Sequence, residues 1–395
     1  MKKFNLKTAI QCLAFVCALI LLSQVGMAGN LEPNAPPGST MKTLDEVEPR
    51  IPIPASNTIA DTYVISKSGS YYLTGDRLCN STGISVEANN VTIDLCGFSL
   101  TGNNTGSGVY MTDRINVETR NGTIRNFSYG INDDYIMMIS NGTSTNHRVI
   151  GVRALSNVKF GIKLYGPNHE VRGCTASNNG TSAAVGSSVF GISVANNCMV
   201  TGNTVSNNGG SAQVNAWVFG ITTGNGCTIT GNTVSGNGTS ADVGTTVYGI
   251  ATAGGSTITG NTVSGNGTSA GSVYGIAASD GSTVTENTVS DNGGSAVTVV
   301  RGIDAHNGCT VTGNTVRSNG NAMPGIAGTV DGIYAGYGST VVGNTANSNG
   351  IFTSGTIHGI HLLGNNLVDR NTAYNNNGTN MNNPGNCTFG LNHAP

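Results

Sequence analysis

Charge is scarce in this 395-residue chain. Asp, Glu, Lys and Arg together make up 10% of it and leave a net charge of −2, against about 25% in an ordinary globular protein. That balance excludes the basic face a nucleic-acid-binding protein needs. Long apolar runs are equally scarce. The one that occurs, residues 9–22, follows Lys2, Lys3 and Lys7 and precedes Gly26 and Ala28. It is shorter than the ~20 residues of a membrane-spanning helix and has the layout of a secretory signal peptide. The expectation is therefore a signal peptide over residues 1–28 and a mature protein without a membrane span, secreted, at the cell surface or in the periplasm. Phosphate-binding loops, Gly-x-Ser-x-Gly elbows and calcium nonapeptide repeats are all missing.

Glycine, by contrast, is abundant, with 58 residues, and much of it belongs to a repeat. Gly-Ile pairs begin at 191, 220, 249, 275, 302, 332 and 359. Counting that Gly as zero, +9 is Val200, Ile229, Ile258, Val284, Val311, Val341 and Val368. Position +12 is Asn203, Asn232, Asn261, Asn287, Asn314, Asn344 and Asn371, and +17 is Asn208, Asn237, Asn266, Asn292, Asn319, Asn349 and Asn376. Degenerate copies start at Gly83, Gly108, Gly130 and Gly161. A unit this short cannot bury its own core, so neighbours must stack.

Within a unit, stretches such as Thr257-Ile258-Thr259 and Thr262-Val263-Ser264 alternate with period two and stop at Gly or Asn, which excludes helix. Three short strands and three turns per unit predict an all-β, single-stranded parallel β-helix of about eleven coils. The two Asn columns then form internal amide ladders. Residues 29–60, rich in proline, read as an extended lead-in, with the β-helix domain over 61–395. Asn-Gly-Thr sequences match a glycosylation acceptor, but their recurrence at the ladder position favours a structural role.

The pattern Gly-Ile-x₇-Val/Ile-x₂-Asn-Thr-Val-x₂-Asn resembles the right-handed parallel β-helix repeat of the pectin-lyase-like superfamily. The segments Gly-Ser-Tyr-Tyr-Leu-Thr at 69–74 and Val-Thr-Ile-Asp-Leu at 91–95 are similar to the N-terminal edge of secreted bacterial members. The resemblance implies the fold and its right hand. It leaves function open, because the superfamily spans lyases, hydrolases, epimerases and tailspikes.

The columns that vary carry the functional candidates. Offset −2 is Val or Ile throughout and reads as interior. Offset −1 carries Phe160, Phe190, Phe219, Tyr248 and Tyr274, then Arg301, Asp331 and His358. A column that exchanges Phe for Arg faces outward, since a lone buried charge is costly. The five aromatics are candidate ligand-binding residues, a stripe about 20 Å long on which flat sugar faces stack. The alternative is that the lateral loops, 8 to 12 positions long, cover the rings with help from Trp217. Arg301, Asp304, Asp331, His358 and His361, with His306 nearby, are the catalytic candidates. Against catalysis, strand geometry puts Asp304 and Asp331 roughly 11 Å apart. Arg301–Asp331 also reads simply as a surface ion pair.

No metal or other cofactor is expected. His358 and His361 occupy different columns without a completing carboxylate at a familiar spacing, and calcium, though possible, has no motif. Asp133 and Asp134 read as solvated. Cys198 and Cys227, at the same offset, are at disulfide distance but equally read as small residues filling a tight interior corner.

The leading functional expectation is an exported binding module for an extracellular polysaccharide or cell-surface glycan. A carbohydrate-active lyase, hydrolase or epimerase is the alternative. Thr-x-Thr pairs at 228/230, 257/259, 283/285 and 310/312 keep a third reading, ice binding or a purely structural surface, in view.

Overall fold

Each regular coil lays down one seven-residue strand and two three-residue strands, as in Thr246–Thr252, Thr257–Thr259 and Thr262–Ser264. Every strand pairs in parallel with its counterpart one coil on: Tyr248 with Tyr274, Ile258 with Val284, and Val263 with Val289. The long strands form a 13-stranded sheet and the short ones the other two faces. Eleven rungs of the long-strand sheet belong to the coils expected from the repeat, with Tyr63–Ile65 before them and Thr379–Met381 after. The computed structural model describes residues 49–133, 144–180, 185–210, 212, 215–295, 298–321, 328–351 and 354–395. The expected signal peptide, most of the expected lead-in and Asp134 lie outside the described residues. No helix among the described residues is long and apolar enough to cross a membrane.

The β-helix starts ten residues earlier than the prolines suggest. Ile51–Ile53 pairs with Gly69–Leu73, and Ser56–Ala60 with Arg77–Cys79. Pro52 is accommodated because it lies in the first described strand, where a missing N–H breaks no interior ladder.

The repeat's Gly-Ile pair interrupts the strand alternation. In Thr246–Thr252 the residues at −2, 0, +1 and +3 are buried, whereas −1 and +2 are both partly exposed. The Gly is required by contact: a Cβ on Gly249 would lie 2.5 Å from the Gly275 carbonyl oxygen and from Val263 Cγ1. The Val column at −2 is buried, but not in the main lumen. It packs with Ala212, Ala216, Ala241 and Ala270 of the lateral connections as a second small core. The Gly at +18 admits this packing. Gly238 has φ +64°, and a Cβ there would sit 2.6 Å from Val247 Cγ2, so both backbone hand and space call for glycine.

Both Asn ladders form and outrun the seven regular copies. Asn261 Nδ2 donates to Asn287 Oδ1 at 2.9 Å and to the Ile229 carbonyl at 2.9 Å. Its own Oδ1 accepts from the backbone N and Nδ2 of Asn232. The +17 ladder begins at Asn157 and Asn179 and ends on Asn380. The +12 ladder ends on Asn392. These Asn side chains are fully buried through the regular coils, so the acceptor sequences at Asn179, Asn237 and Asn266 are structural.

The cysteine column is a third ladder, of free thiols. The Cys198 amide donates to Cys227 Sγ at 3.3 Å and that of Cys227 to Ser256 Oγ at 3.2 Å. Upstream, the same place is taken by His169 and His147. Val117 N donates to His147 Nδ1, and His147 N to His169 Nδ1. The two rings stack with centroids 5.0 Å apart. Burial, reinforced by His169, pushes His147 down to about 3, and burial takes His169 to about 4. Asp133 is correspondingly not solvated: it is buried, accepts from Ser144 Oγ at 2.6 Å and lies 3.6 Å from His147 Nε2.

The ladders carry two predictions. Asn261→Ala takes the Oδ1 acceptor from two buried Asn232 donors and the Nδ2 donor from the Ile229 carbonyl, at about 1–3 kcal/mol for each group left unpaired. It should lower the denaturation midpoint far more than Thr257→Ala on the exposed strand, whose cost is under about 1 kcal/mol. The two imidazoles have folded-state pKa values below the unfolded value near 6.5, so the unfolded chain takes up protons first as pH falls. Stability should thus decline from about pH 6.5 toward 3, and His147→Asn/His169→Asn should flatten that decline in melting curves. An unchanged slope would contradict it.

Candidate functional site

On the long-strand sheet, register converts the −1 column into a stack of rings. Tyr129 leads it, one coil ahead of the five aromatics picked out by the sequence pattern. Phe160, Phe190, Phe219, Tyr248 and Tyr274 follow. Successive centroids are 4.8–5.2 Å apart, and from Phe190 onward the planes are within 19° of parallel. All six rings are half-buried. The rings are neither fully exposed nor fully buried, and from Phe190 to Tyr274 each stacks face to face on the next. Trp217, expected to help bury the column, is instead 57% exposed.

The next coil changes the chemistry of the column. Arg301 pairs in register with Asp331, and Asp331 with His358; alongside, Asp304 pairs with Tyr334 and Tyr334 with His361. Arg301 holds two carboxylates at once: Nη1 donates to Asp304 Oδ1 at 2.9 Å and Nε to Asp331 Oδ2 at 3.2 Å. Its guanidinium carbon lies 3.7 Å from the centre of the Tyr334 ring.

Because one rigid guanidinium spans them, the bound oxygens are at most about 8.5 Å apart. The roughly 11 Å expected from strand spacing is too long, since it follows the backbone while the side chains converge.

Asp331 is 0% exposed, so its pair with Arg301 is not a surface pair. Asp331 Oδ1 also accepts from His358 Nδ1 and His361 Nδ1, each at 3.0 Å. The two imidazoles have centroids 4.2 Å apart. Different columns do not separate them, because the Gly359-Ile360 bend turns both −1 and +2 outward. The carboxylate missing from the sequence spacing comes from the preceding coil.

Environment drives the two carboxyls in opposite directions. Burial raises Asp304, with Arg301 offsetting only part of it. Burial would raise Asp331 too, but hydrogen bonds from His358 and His361 and the charge of Arg301 hold it below the usual carboxylate range. Burial likewise raises the Tyr248 and Tyr274 phenols.

A cleft of about 450 Å³ joins the two halves of the column. Trp217, Phe219, Tyr248, Tyr274, Arg301, Asp304 and His306 line it. A second depression of about 300 Å³, bounded by Arg301, His306, Tyr334 and Tyr337, continues from it. Phe160 and Phe190 are not among the residues lining the cleft, so of the five aromatic candidates only three border it. The Thr-x-Thr array is also present in register, on a short-strand face away from the cleft.

No protein-family model and no curated protein sequence matches the chain. Solved structures do resemble it. The A-module of the Azotobacter vinelandii mannuronan C-5 epimerase AlgE4 is 14% identical, with a TM-score of 0.53 over 87% of this chain and 91% of that one. The A-module of AlgE6 from the same organism is 15% identical, with a TM-score of 0.49 over 83% and 91%. The Dettilon tailspike protein is 16% identical, with a TM-score of 0.42 over 86% and 61%. At these identities the likeness speaks to architecture alone: the chain has the right-handed parallel β-helix fold.

Proposed function

We propose that the protein binds polysaccharide, seating one or a few sugar residues in the cleft between Trp217 and the Arg301–Asp304–His306 cluster. The carrying observation is that an exposed indole, two tyrosines and a polar cluster line one cleft. Sugars need an apolar surface for their C–H faces and convergent polar groups for their hydroxyls, and this cleft offers both. The stacking surface is Trp217, because the stacked rings have covered each other. The column supplies a rigid wall, with Tyr248 and Tyr274 adding hydroxyls. The similarity in fold to a module named as a mannuronan C-5 epimerase is consistent with a glycan partner.

A second reading has a specific observation behind it. Asp304 and Asp331 share one guanidinium and are displaced in opposite directions, and Asp304 borders the cleft beside His306, an arrangement suited to acid–base chemistry on a sugar. Under this reading Asp304, which burial raises, is the general-acid candidate and the protein is a carbohydrate-active lyase, hydrolase or epimerase.

Retention on a panel of uronate and neutral glycans tests the first reading. Trp217→Ala should weaken binding about tenfold or more, in line with a lost aromatic anchor, and leave the melting temperature unchanged because the side chain is exposed. Phe219→Ala should lower stability as well as binding. If Trp217→Ala binds as the parent does, the cleft is not the glycan site. Reducing ends, unsaturated product or altered uronate composition after incubation would favour the second reading, and their loss in Asp304→Asn would assign it.

A further inference from the structure

We propose that Asp331, His358 and His361 form a binding site for a divalent first-row transition metal ion of the zinc, cobalt and nickel class. Their ligand atoms lie within 4.8 Å of one another. Asp331 Oδ1 is 3.0 Å from each Nδ1. Metal–ligand bonds of about 2.1 Å place neighbouring ligand atoms about 3.0 Å apart in an octahedral set and about 3.4 Å apart in a tetrahedral one. Both Asp331 Oδ1–Nδ1 separations already match the octahedral spacing, and the two imidazole ligand atoms, no more than 4.8 Å apart, close the set by moving toward each other.

The donor set selects the ion. Two imidazole nitrogens and one carboxylate suit zinc, nickel, cobalt and ferrous iron, whereas calcium and magnesium ask for more oxygen ligands. One carboxylate and two histidines on one face leave the remaining coordination positions open.

The surroundings are those of a built metal site. The second oxygen of Asp331 is held by Arg301 Nε at 3.2 Å, which fixes the carboxylate to present Oδ1 alone. The Tyr334 ring meets His361 edge-on, with centroids 5.2 Å apart, and restrains its orientation. Asp331 is fully buried while the side chains of His358 and His361 are 14% and 24% exposed. The carboxylate thus lies at the floor and the imidazoles form the mouth. Metal binding replaces the two Nδ1–H···Oδ1 hydrogen bonds: each neutral imidazole carries its proton on Nε2 instead and presents the Nδ1 lone pair, with no net change in charge. The site exists only because one coil supplies Asp331 and the next both histidines.

The full mature chain without an affinity tag, titrated with Zn²⁺ and Co²⁺, tests this. Calorimetry should show one ion per chain, and Co²⁺ should give visible d–d absorption with nitrogen ligation. His358→Ala and His361→Ala should each weaken binding about 100-fold or more, a loss at least as large as those seen on removing outer-shell partners. His306→Ala and His393→Ala should not. Melting temperature gives a second readout that also detects misfolding: Zn²⁺ should raise it in the parent and in His306→Ala but not in His361→Ala. Absence of a stoichiometric ion in the parent, or retention of it in a correctly folded His361→Ala protein, would overturn the assignment.

Discussion

Everything in this molecule depends on the registration of one coil on the next. Parallel strands repeat about every 4.8 Å, and a buried amide can satisfy itself only if an identical amide stands at that distance. Asn261 shows the constraint at one rung, where donors and acceptors from three successive coils meet on a single side chain. A slip of one residue would bury strand residues of the wrong face and break both ladders at once. Register is therefore specified by polar groups, while the apolar columns supply the drive to stack.

The same registration writes the outer surface. If Asn must stand on Asn, the residue at −1 must stand on the residue at −1. Six consecutive aromatics become a stack whether or not a ligand is served by it. At Tyr274 the column turns to Arg301, Asp331 and His358, and register then concentrates charge as strictly as it had concentrated rings. A chain with few ionisable groups thus gathers an arginine, two carboxylates and three histidines at one end of its aromatic wall.

The constant columns made the fold legible. Ile at +1, Val or Ile at +9, and Asn at +12 and +17 recur so regularly that only stacked, in-register coils use them all, and the structure places each where the repeat requires. The candidate site was only half legible, for a physical reason. Offsets describe the backbone, whereas sites are made by side chains that reach about as far as a coil is tall. The roughly 11 Å between Asp304 and Asp331 that strand spacing gives ignores the Arg301 fork. Placing His358 and His361 in different columns ignores the double outward turn around Gly359. Asp133 reads as solvated because its neighbour in space, His147, belongs to the next coil. Tyr129 is within reach of the sequence, since it precedes a Gly-Ile pair of the repeat. The exposure of Trp217 is not, because it depends on how the lateral connections pack on their own small core.

The central claim is that the cleft beside Trp217 takes sugar. Trp217 is the single tryptophan of the chain, so its fluorescence reports on that cleft without labels or substitutions. A titration with defined oligosaccharides, excited at the red edge of tryptophan absorption, should give a saturable change in intensity and a blue shift as the indole leaves water. An emission spectrum that stays constant while the same glycan binds by calorimetry would place the ligand elsewhere on the β-helix and contradict the account.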